Sequence, residues 1–366
     1  MTHSRFRGIV DGYPDLAVAV LGDFCLDRYL EIDPAKKEVS LETGLPVHNV
    51  VSVRGQPGGA GTVLNNLVAL GVGEIFAVGF CGEDGEGYEL QRALRELPGV
   101  SLEHFFPSTQ RRTFTYTKPL MMQKGKSPRE LNRLDLKNWT PTPAALRQKL
   151  TGALRTLAPE VDALIVLDQT DVAETGVVTN EVLDVLGALV RKHPKRLVLA
   201  DSRRGLRDFP PCAFKMNAAE LAACVDSKRR LSLAQIKIVA HGLAQRNNQP
   251  VFVTLAQRGL LAAAPEGEIE HVPALPVRGK IDIVGAGDAV SANLATALAA
   301  GATLREALEI ANAAASIVIH QVGTTGTAGV AEIRRLLMQW PEDAKAPKPA
   351  EPEIRNPKSE TRKKSE

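Results

Sequence analysis

The sequence predicts an α/β protein built on a doubly wound, mostly parallel sheet flanked by helices. Short apolar runs alternate with stretches of helical period along the chain. Several of those runs are unbroken, as strands buried on both faces require. With 366 residues, 44% of them hydrophobic, the chain has material for one large α/β domain with an excursion, or for two domains of about 150 residues.

Strands are expected at LAVAVLG (16–22), EIFAVGF (74–80), DALIVLD (162–168), KRLVLAD (195–201) and PVFVTLA (250–256). Helical patterns fall at about 85–97, 142–158, 178–193, 232–247, 287–300 and 303–320. Thr303-Leu-Arg-Glu306 has the form of a capping box, and Gly301 suits the stop of the preceding helix. Residues 28–53 and 111–122 break the rhythm: they are rich in β-branched or aromatic residues and lack a helical period. They fit either a small separate sheet or edge strands of the main one. From Pro341 to Glu366 the chain is charged, proline-rich and nearly without apolar residues, so disorder is expected there.

Composition excludes several classes. Lys+Arg number 45 against 42 Asp+Glu, a balance with no basic excess for nucleic acid. Cys25, Cys81, Cys212 and Cys224 form no CxxC pair, so reduced thiols are expected rather than zinc or disulfides. The histidines make no HExxH or HxxxH pattern. The N-terminus lacks the apolar core of a signal peptide, and apolar runs stop short of the ~18 residues of a membrane helix. A cytoplasmic protein is expected.

Chemistry concentrates at Asp282-Ile-Val-Gly-Ala-Gly-Asp288. A helix N-terminus has unpaired N–H groups and partial positive charge, and glycine lets those groups approach a ligand. Gly285, Ala286 and Gly287 therefore read as an anion cradle feeding a helix whose buried face carries Val290, Leu294 and Leu298. Asp288 fits a first-turn acid, or a general base beside an anion hole. Gln56-Pro-Gly-Gly-Ala-Gly-Thr62, leading to Asn66 and Gly71, is a second glycine-rich entry to a helix. It fits a phosphate cradle or a tight structural turn. Asp23, Asp27, Asp168, Asp201, Asn217 with Glu220, and Thr254 gather where strands end, the edge at which parallel sheets bind ligands. The first strand is followed by Asp23-Phe-Cys-Leu-Asp27 and not by GxGxxG, which speaks against a nicotinamide dehydrogenase.

The order of these parts resembles the ribokinase-like carbohydrate kinases, the PfkB family, over roughly residues 14–340. It is most like the kinase half of the bifunctional heptose kinase/adenylyltransferases. The stretches that carry the resemblance are GDFCLDRY (22–29), PGGAGTVLNNLVALG (57–71), LNRLDL (131–136), NAAE (217–220), DIVGAGDAV (282–290), ANAAAS (311–316) and VGTTG (322–326). The resemblance implies a kinase domain over 1–340 with a β lid from about 28–53 and 108–135, followed by the tail 341–366 in place of an adenylyltransferase half. It implies Asp288 as catalytic base and Gly285, Ala286 and Gly287 as anion hole, with Asp27 and the Gly58–Gly59 turn holding sugar hydroxyls. Asn217 and Glu220 would organise magnesium and phosphate, Thr254 and Gly259 the nucleotide phosphates, and Asn312 the adenine region.

Combined with the strand-end cluster, the expected substrate set is Asp23, Asp27, Gly58, Gly59, Thr62, Asn66, Arg133 and Asp168. The expected nucleotide set is Asp201, Asn217, Glu220, Thr254, Gly259 and Asn312, with Glu220 toward the metal. ATP and Mg2+ are the implied cofactors, with room for a monovalent cation such as K+. The implied partners are a sugar or sugar phosphate and a second copy docked through the lid. The chain departs from the family pattern at Thr62 (asparagine), at Val284 (threonine) and at Lys215-Met216 (threonine-proline). It departs again at Asp168-Gln-Thr-Asp171, where the heptose kinases have an aspartate-tyrosine and a lysine-glycine. Arg111, Arg112, Lys118 and Arg133 either bind a phosphate already on the sugar or are solvated surface charges. A non-catalytic sugar or nucleotide sensor and a nucleoside kinase are the alternatives.

Overall fold

The structure, a computed structural model, describes residues 1–125 and 127–339; the tail 341–366, expected to be disordered, lies outside the described residues. In chain order, α1 (His3–Val10) precedes β1 (Ala17–Gly22), β2 (Phe24–Val39), β3 (Pro46–Gly59), α2 (Ala60–Leu70), β4 (Glu74–Gly82), α3 (Gly85–Arg95), β5 (Val100–Ser101), β6 (Phe105–Ser108), β7 (Phe114–Met121), β8 (Arg129–Glu130) and β9 (Leu134–Leu136). The second half holds α4 (Ala144–Leu157), β10 (Ala163–Asp168), α5 (Asn180–Lys192), β11 (Leu197–Ser202), β12 (Ala213–Asn217), α6 (Ala218–Cys224), α7 (Leu233–Asn247), β13 (Val251–Thr254), β14 (Leu260–Ala263), β15 (Ile269–Val272), α8 (Ala286–Ala299), α9 (Leu304–Val318) and α10 (Val330–Gln339).

The main sheet runs β15-β14-β13-β12-β11-β10-β1-β4-β5, with β6 paired to the far part of β4. From β13 to β5 neighbours are parallel, and β14 and β15 add an antiparallel edge. The expected parallel sheet is therefore present. Along β1, Val18 and Val20 pack into one core and Ala19 and Leu21 into the other, so both faces are covered. Each fully buried Leu or Val contributes roughly 1.5–3 kcal/mol. The connections turn opposite ways on either side of β1, which places the crevice of the sheet beyond Gly22 and Asp168.

A second, five-stranded sheet rises from that crevice. It is ordered β3-β2-β7-β8, with β9 also on β7. It resolves the choice left open for the two rhythm-breaking segments: they form a separate sheet. That sheet starts at Phe24, earlier than expected, because β1 continues into β2 with only Asp23 between them and no helix at the turn. Register irregularities fall between Glu31 and Ile32 and between Ile32 and Lys37.

Helix starts follow side-chain chemistry. Thr303 Oγ1 accepts the Glu306 N–H at 3.3 Å, and the Glu306 carboxylate accepts the Thr303 N–H at 2.8 Å, the anticipated capping box. All four cysteines are free thiols, three of them buried. None of the described helices is long and apolar enough to cross a membrane.

Candidate active site

The mouth of α8 is built from small residues. Gly285 precedes the helix at φ +80°, a left-handed backbone that glycine adopts without strain. The Ala286 N–H closes a turn on the Ile283 carbonyl at 3.3 Å. Among the described residues the N–H groups of Gly285, Gly287 and Asp288 have no acceptor. Of the expected hole, Ala286 is engaged in the turn while Gly285 and Gly287 are open, and the Asp288 amide is open beside them.

Asp288 lies in the first turn of α8 with partial access to solvent. Burial is the main cause that pushes its carboxyl up to about 7; Lys215 opposes the shift, Asp201 adds to it, Arg203 opposes it and Asp27 adds to it. Strand ends β2, β11 and β12 thus present charges to one carboxyl group. Beneath it, Lys215 Nζ sits 2.6 Å from Asp201 Oδ2, and Ser291 Oγ of α8 donates to the same oxygen at 3.3 Å. Asp201 is buried and held by these partners beneath the first turn of α8.

On the crevice side the expected residues divide. Asp23 is 3% exposed and accepts the N–H groups of Gln169 (2.8 Å), Thr170 (3.2 Å) and Val177 (2.7 Å). Asp168 is fully buried, accepting from Ser202 Oγ at 2.6 Å and from Arg204 Nη2 at 2.9 Å. Both shape the loop after β10: the Asp23 oxygens are held by its amides, and Asp168 Oδ2 takes both of its partners while Oδ1 meets only Thr170 Oγ1, at 3.5 Å. Burial raises both carboxyls, Asp23 to about 6. Asn66 is also set apart: it is fully buried within α2 and donates to the Thr62 carbonyl at 2.9 Å. Thr62 is buried as well, with its methyl close to Gly285.

Asp27 and the glycine turn do come together. A side chain on Gly58 would begin 3.0 Å from the Asp27 carboxylate, and one on Gly59, at φ +58°, would collide with the Asp23 carbonyl. Asp27 Oδ2 lies 3.6 Å from Lys118 Nζ, which also reaches Tyr29 Oη at 3.3 Å. Burial raises the Asp27 carboxyl against the pull of Lys118. Arg133 pairs with Asp135 at 2.6 and 2.7 Å and stacks over Tyr116. Arg111 is buried and donates to the carbonyls of Thr140 and Pro141, tying a loop. The second sheet is fastened across the site by Gln56, which donates to Thr325 Oγ1 and accepts from Thr324 Oγ1.

On the opposite side Asn217 caps α6, accepting from Ala219 and Glu220, while Glu220 Oε2 accepts the Asn217 N–H at 2.7 Å. Burial raises the Glu220 carboxyl, and its second oxygen has no partner among the described residues. Among those residues no cluster of three or more His, Cys, Asp or Glu could hold a metal. That donor set fits an ion held chiefly by phosphates and water with one carboxylate, as Mg2+ is in nucleotide sites. Thr254 ends β13 partly exposed. Gly259 is required where it stands, because a side chain there would overlap the Val272 carbonyl, and its N–H is taken by Ala256. Asn312 donates to the Pro273 carbonyl at 2.9 Å and holds the segment after β15.

Two cations were missed from sequence. Arg203, just past β11, is exposed and its guanidinium has no hydrogen-bond or ion-pair partner among the described residues, yet its charge reaches Asp27, Asp288 and Glu220. The strand-end rule would have found it had it been applied to cations as well as carboxylates. Lys215 was visible as a charge inside the apolar strand AFKMN.

Residues 159–329 match the family described as pfkB family carbohydrate kinase. The Bifunctional protein HldE of Azorhizobium caulinodans is 30% identical over 308 residues, 84% of this chain and 61% of that protein. The Hyphomonas neptunium protein of the same name is 30% identical over 338 residues, 91% of this chain and 66% of that protein. The chain thus spans less than two thirds of the length of these relatives. By structure it is similar to the ribokinase of Arabidopsis thaliana complexed with ribose and ATP (TM-score 0.65, 18% identity, 88% of this chain and 98% of that one). It is equally similar to phosphofructokinase-2 of Escherichia coli in complex with substrates and products (TM-score 0.65, 17% identity, 88% and 99%). The fold is ribokinase-like.

Proposed function

The chain carries a pfkB family carbohydrate kinase domain over residues 159–329, and on that premise we propose that it transfers the γ-phosphoryl group of ATP to a hydroxyl of a sugar or sugar phosphate. The observation that carries this is one carboxyl group, Asp288, beside three unengaged N–H groups at the mouth of α8. A carboxyl pushed up to about 7 is matched to taking a hydroxyl proton near neutral pH. The amides of Gly285, Gly287 and Asp288 meet charge on the transferring group. Asp27, held by Lys118, orients the acceptor hydroxyl, and Arg203 supplies a free positive charge between acceptor and donor. The second sheet, fastened by Gln56 to Thr324 and Thr325, keeps water from competing as acceptor. Glu220 would hold Mg2+, which when bound would neutralise charge on the nucleotide phosphates.

The resemblance to heptose kinases makes heptose 7-phosphate the first acceptor to try. The site is tested by incubating the purified chain with MgATP and a panel of heptose 7-phosphate, fructose phosphates, ribose and nucleosides. One acceptor should give a phosphorylated product, and Asp288→Asn should lower kcat by roughly 10²–10⁴-fold with the fold intact. Near-normal turnover in that variant, or no product from any acceptor, would overturn the assignment.

A homodimer through the second sheet belongs to the same proposal. Val51, Val53, Leu134 and Leu136 leave that sheet with apolar groups 45–63% exposed, as a surface awaiting a second copy would. Light scattering should give a dimer for the native chain and a monomer for Val51→Glu/Val53→Glu; a monomeric native chain would refute it.

A further inference from the structure

Phosphoryl transfer as described has no stated use for one buried charge. Lys215 belongs to β12, among the buried residues Ala213, Phe214 and Met216. A parallel strand in this position does not need an ion there, and a buried ion pair is often no better for stability than an apolar one. Its location is the informative feature. Nζ lies 2.6 Å from Asp201 Oδ2 and 3.1 Å from the point where a side chain on Gly287 would begin. The ammonium is therefore directly under the first turn of α8, on the protein side of the open amides. Asp201 is fixed in turn by Ser291 of the same helix, at 3.3 Å.

We propose that Lys215 is a positioning residue of the phosphoryl-transfer centre: its ammonium, docked beneath α8, holds the negative charge on Asp288 and adds positive potential to the amides of Gly285 and Gly287. The inference rests on the kinase assignment for its chemistry but not for its geometry. The charged groups facing Asp288 are Asp27 from β2, Asp201 from β11, Arg203 just beyond β11 and Lys215 from β12. Lys215 exerts the strongest of these effects and opposes burial. It remains charged because Asp201 holds it, despite the desolvation that works the other way.

The experiment follows Asp288 directly. Carbon-13 NMR of the full chain, labelled at the aspartate carboxyl carbons and assigned with Asp288→Asn, gives its titration without nucleotide or sugar. Lys215→Met should move the Asp288 midpoint to higher pH, and Lys215→Arg should restore it. Lys215→Met/Asp201→Asn removes both charges and leaves no lone buried carboxylate. It should fold like the native chain and still titrate above it, which keeps the test open if the single variant fails to fold. In turnover, Lys215→Met should lower kcat at pH 7 roughly tenfold, shift the acid limb in the same direction, and change KM for ATP by less than about threefold. If folded variants leave the Asp288 midpoint in place, the ammonium serves only to neutralise Asp201 and the inference falls. A native chain that phosphorylates no acceptor, but whose Asp288 responds to Lys215, removes the kinase assignment while the charge coupling stands.

Discussion

Two glycine-rich turns lead into helices in this molecule, and they differ in what the missing side chains make room for. At the entry to α2, Gly58, Gly59 and Gly61 are packed against the protein's own atoms: Cys25 and Asp27, the Asp23 carbonyl, and the Pro57 ring. The Ala60 N–H there donates to the Asp23 carbonyl at 3.0 Å. At the entry to α8, Gly285 and Gly287 meet only Thr62, Thr325 and the tip of Lys215, and the amides of both glycines are unengaged. The first turn fastens one sheet to the other. The second leaves donors open on a surface that a ligand can reach. Glycine in a helix entry is therefore ambiguous until its neighbours are known.

Substitutions can break or sharpen this contrast. Gly59→Ala should have the largest effect, since it adds a clash with backbone to a left-handed conformation. We expect roughly 3 kcal/mol or more of lost stability in denaturant melts. Gly287→Ala meets only a flexible ammonium and should keep stability within about 1 kcal/mol, while turnover falls about 10²-fold. If it unfolds the chain as readily as Gly59→Ala, the two turns are alike and the contrast is lost.

A smaller effect concerns Asp288 itself. Its folded pKa is raised above that of an unfolded aspartate, so folding favours the protonated form. The resulting stability is present below about pH 4 and is lost as pH rises through about 7. Asp288→Asn should therefore stabilise the chain at pH 8 by roughly 1–2 kcal/mol, discounted for its partial exposure, and leave it unchanged at pH 4. Equal melting curves at both pH values would show that the carboxyl is not desolvated. The smallest effect is expected far from both turns. Arg5 bonds Glu306 at 2.7 and 3.0 Å in an exposed pair, and Arg5→Ala should cost at most about 1 kcal/mol, less in high salt.

The main sheet was legible because its strands are unbroken apolar runs, and β1, β4, β10, β11 and β13 lie close to where the pattern put them. Strand β12 escaped because Lys215 interrupts its run, and a charge in a buried strand is explained only by Asp201 on the neighbouring strand. The first turn of α8 was legible because its motif is local: glycine, glycine and aspartate act within four consecutive residues. Asp23, Asp168 and Asn66 show the limit. Their positions at a strand end or a glycine-rich helix looked like substrate contacts, but Asp23 is engaged by amides 146 and 147 residues away, Asp168 by Ser202 and Arg204, and the Asn66 amide nitrogen by a helical carbonyl. Such pairings depend on tertiary structure and leave no trace in spacing.

The join between the two sheets constrains how the crevice can open. Because β1 passes into β2 through a single residue whose carboxylate grips three amides of the facing loop, the root of the upper sheet is clamped like the fixed end of a cantilever. Bending would come most easily in the outer stretch, where strand register slips near Ile32 and extra residues loosen the ladder. On the kinase reading, any closing of that sheet would be a flexing of its tip over a stationary floor that carries Asp27.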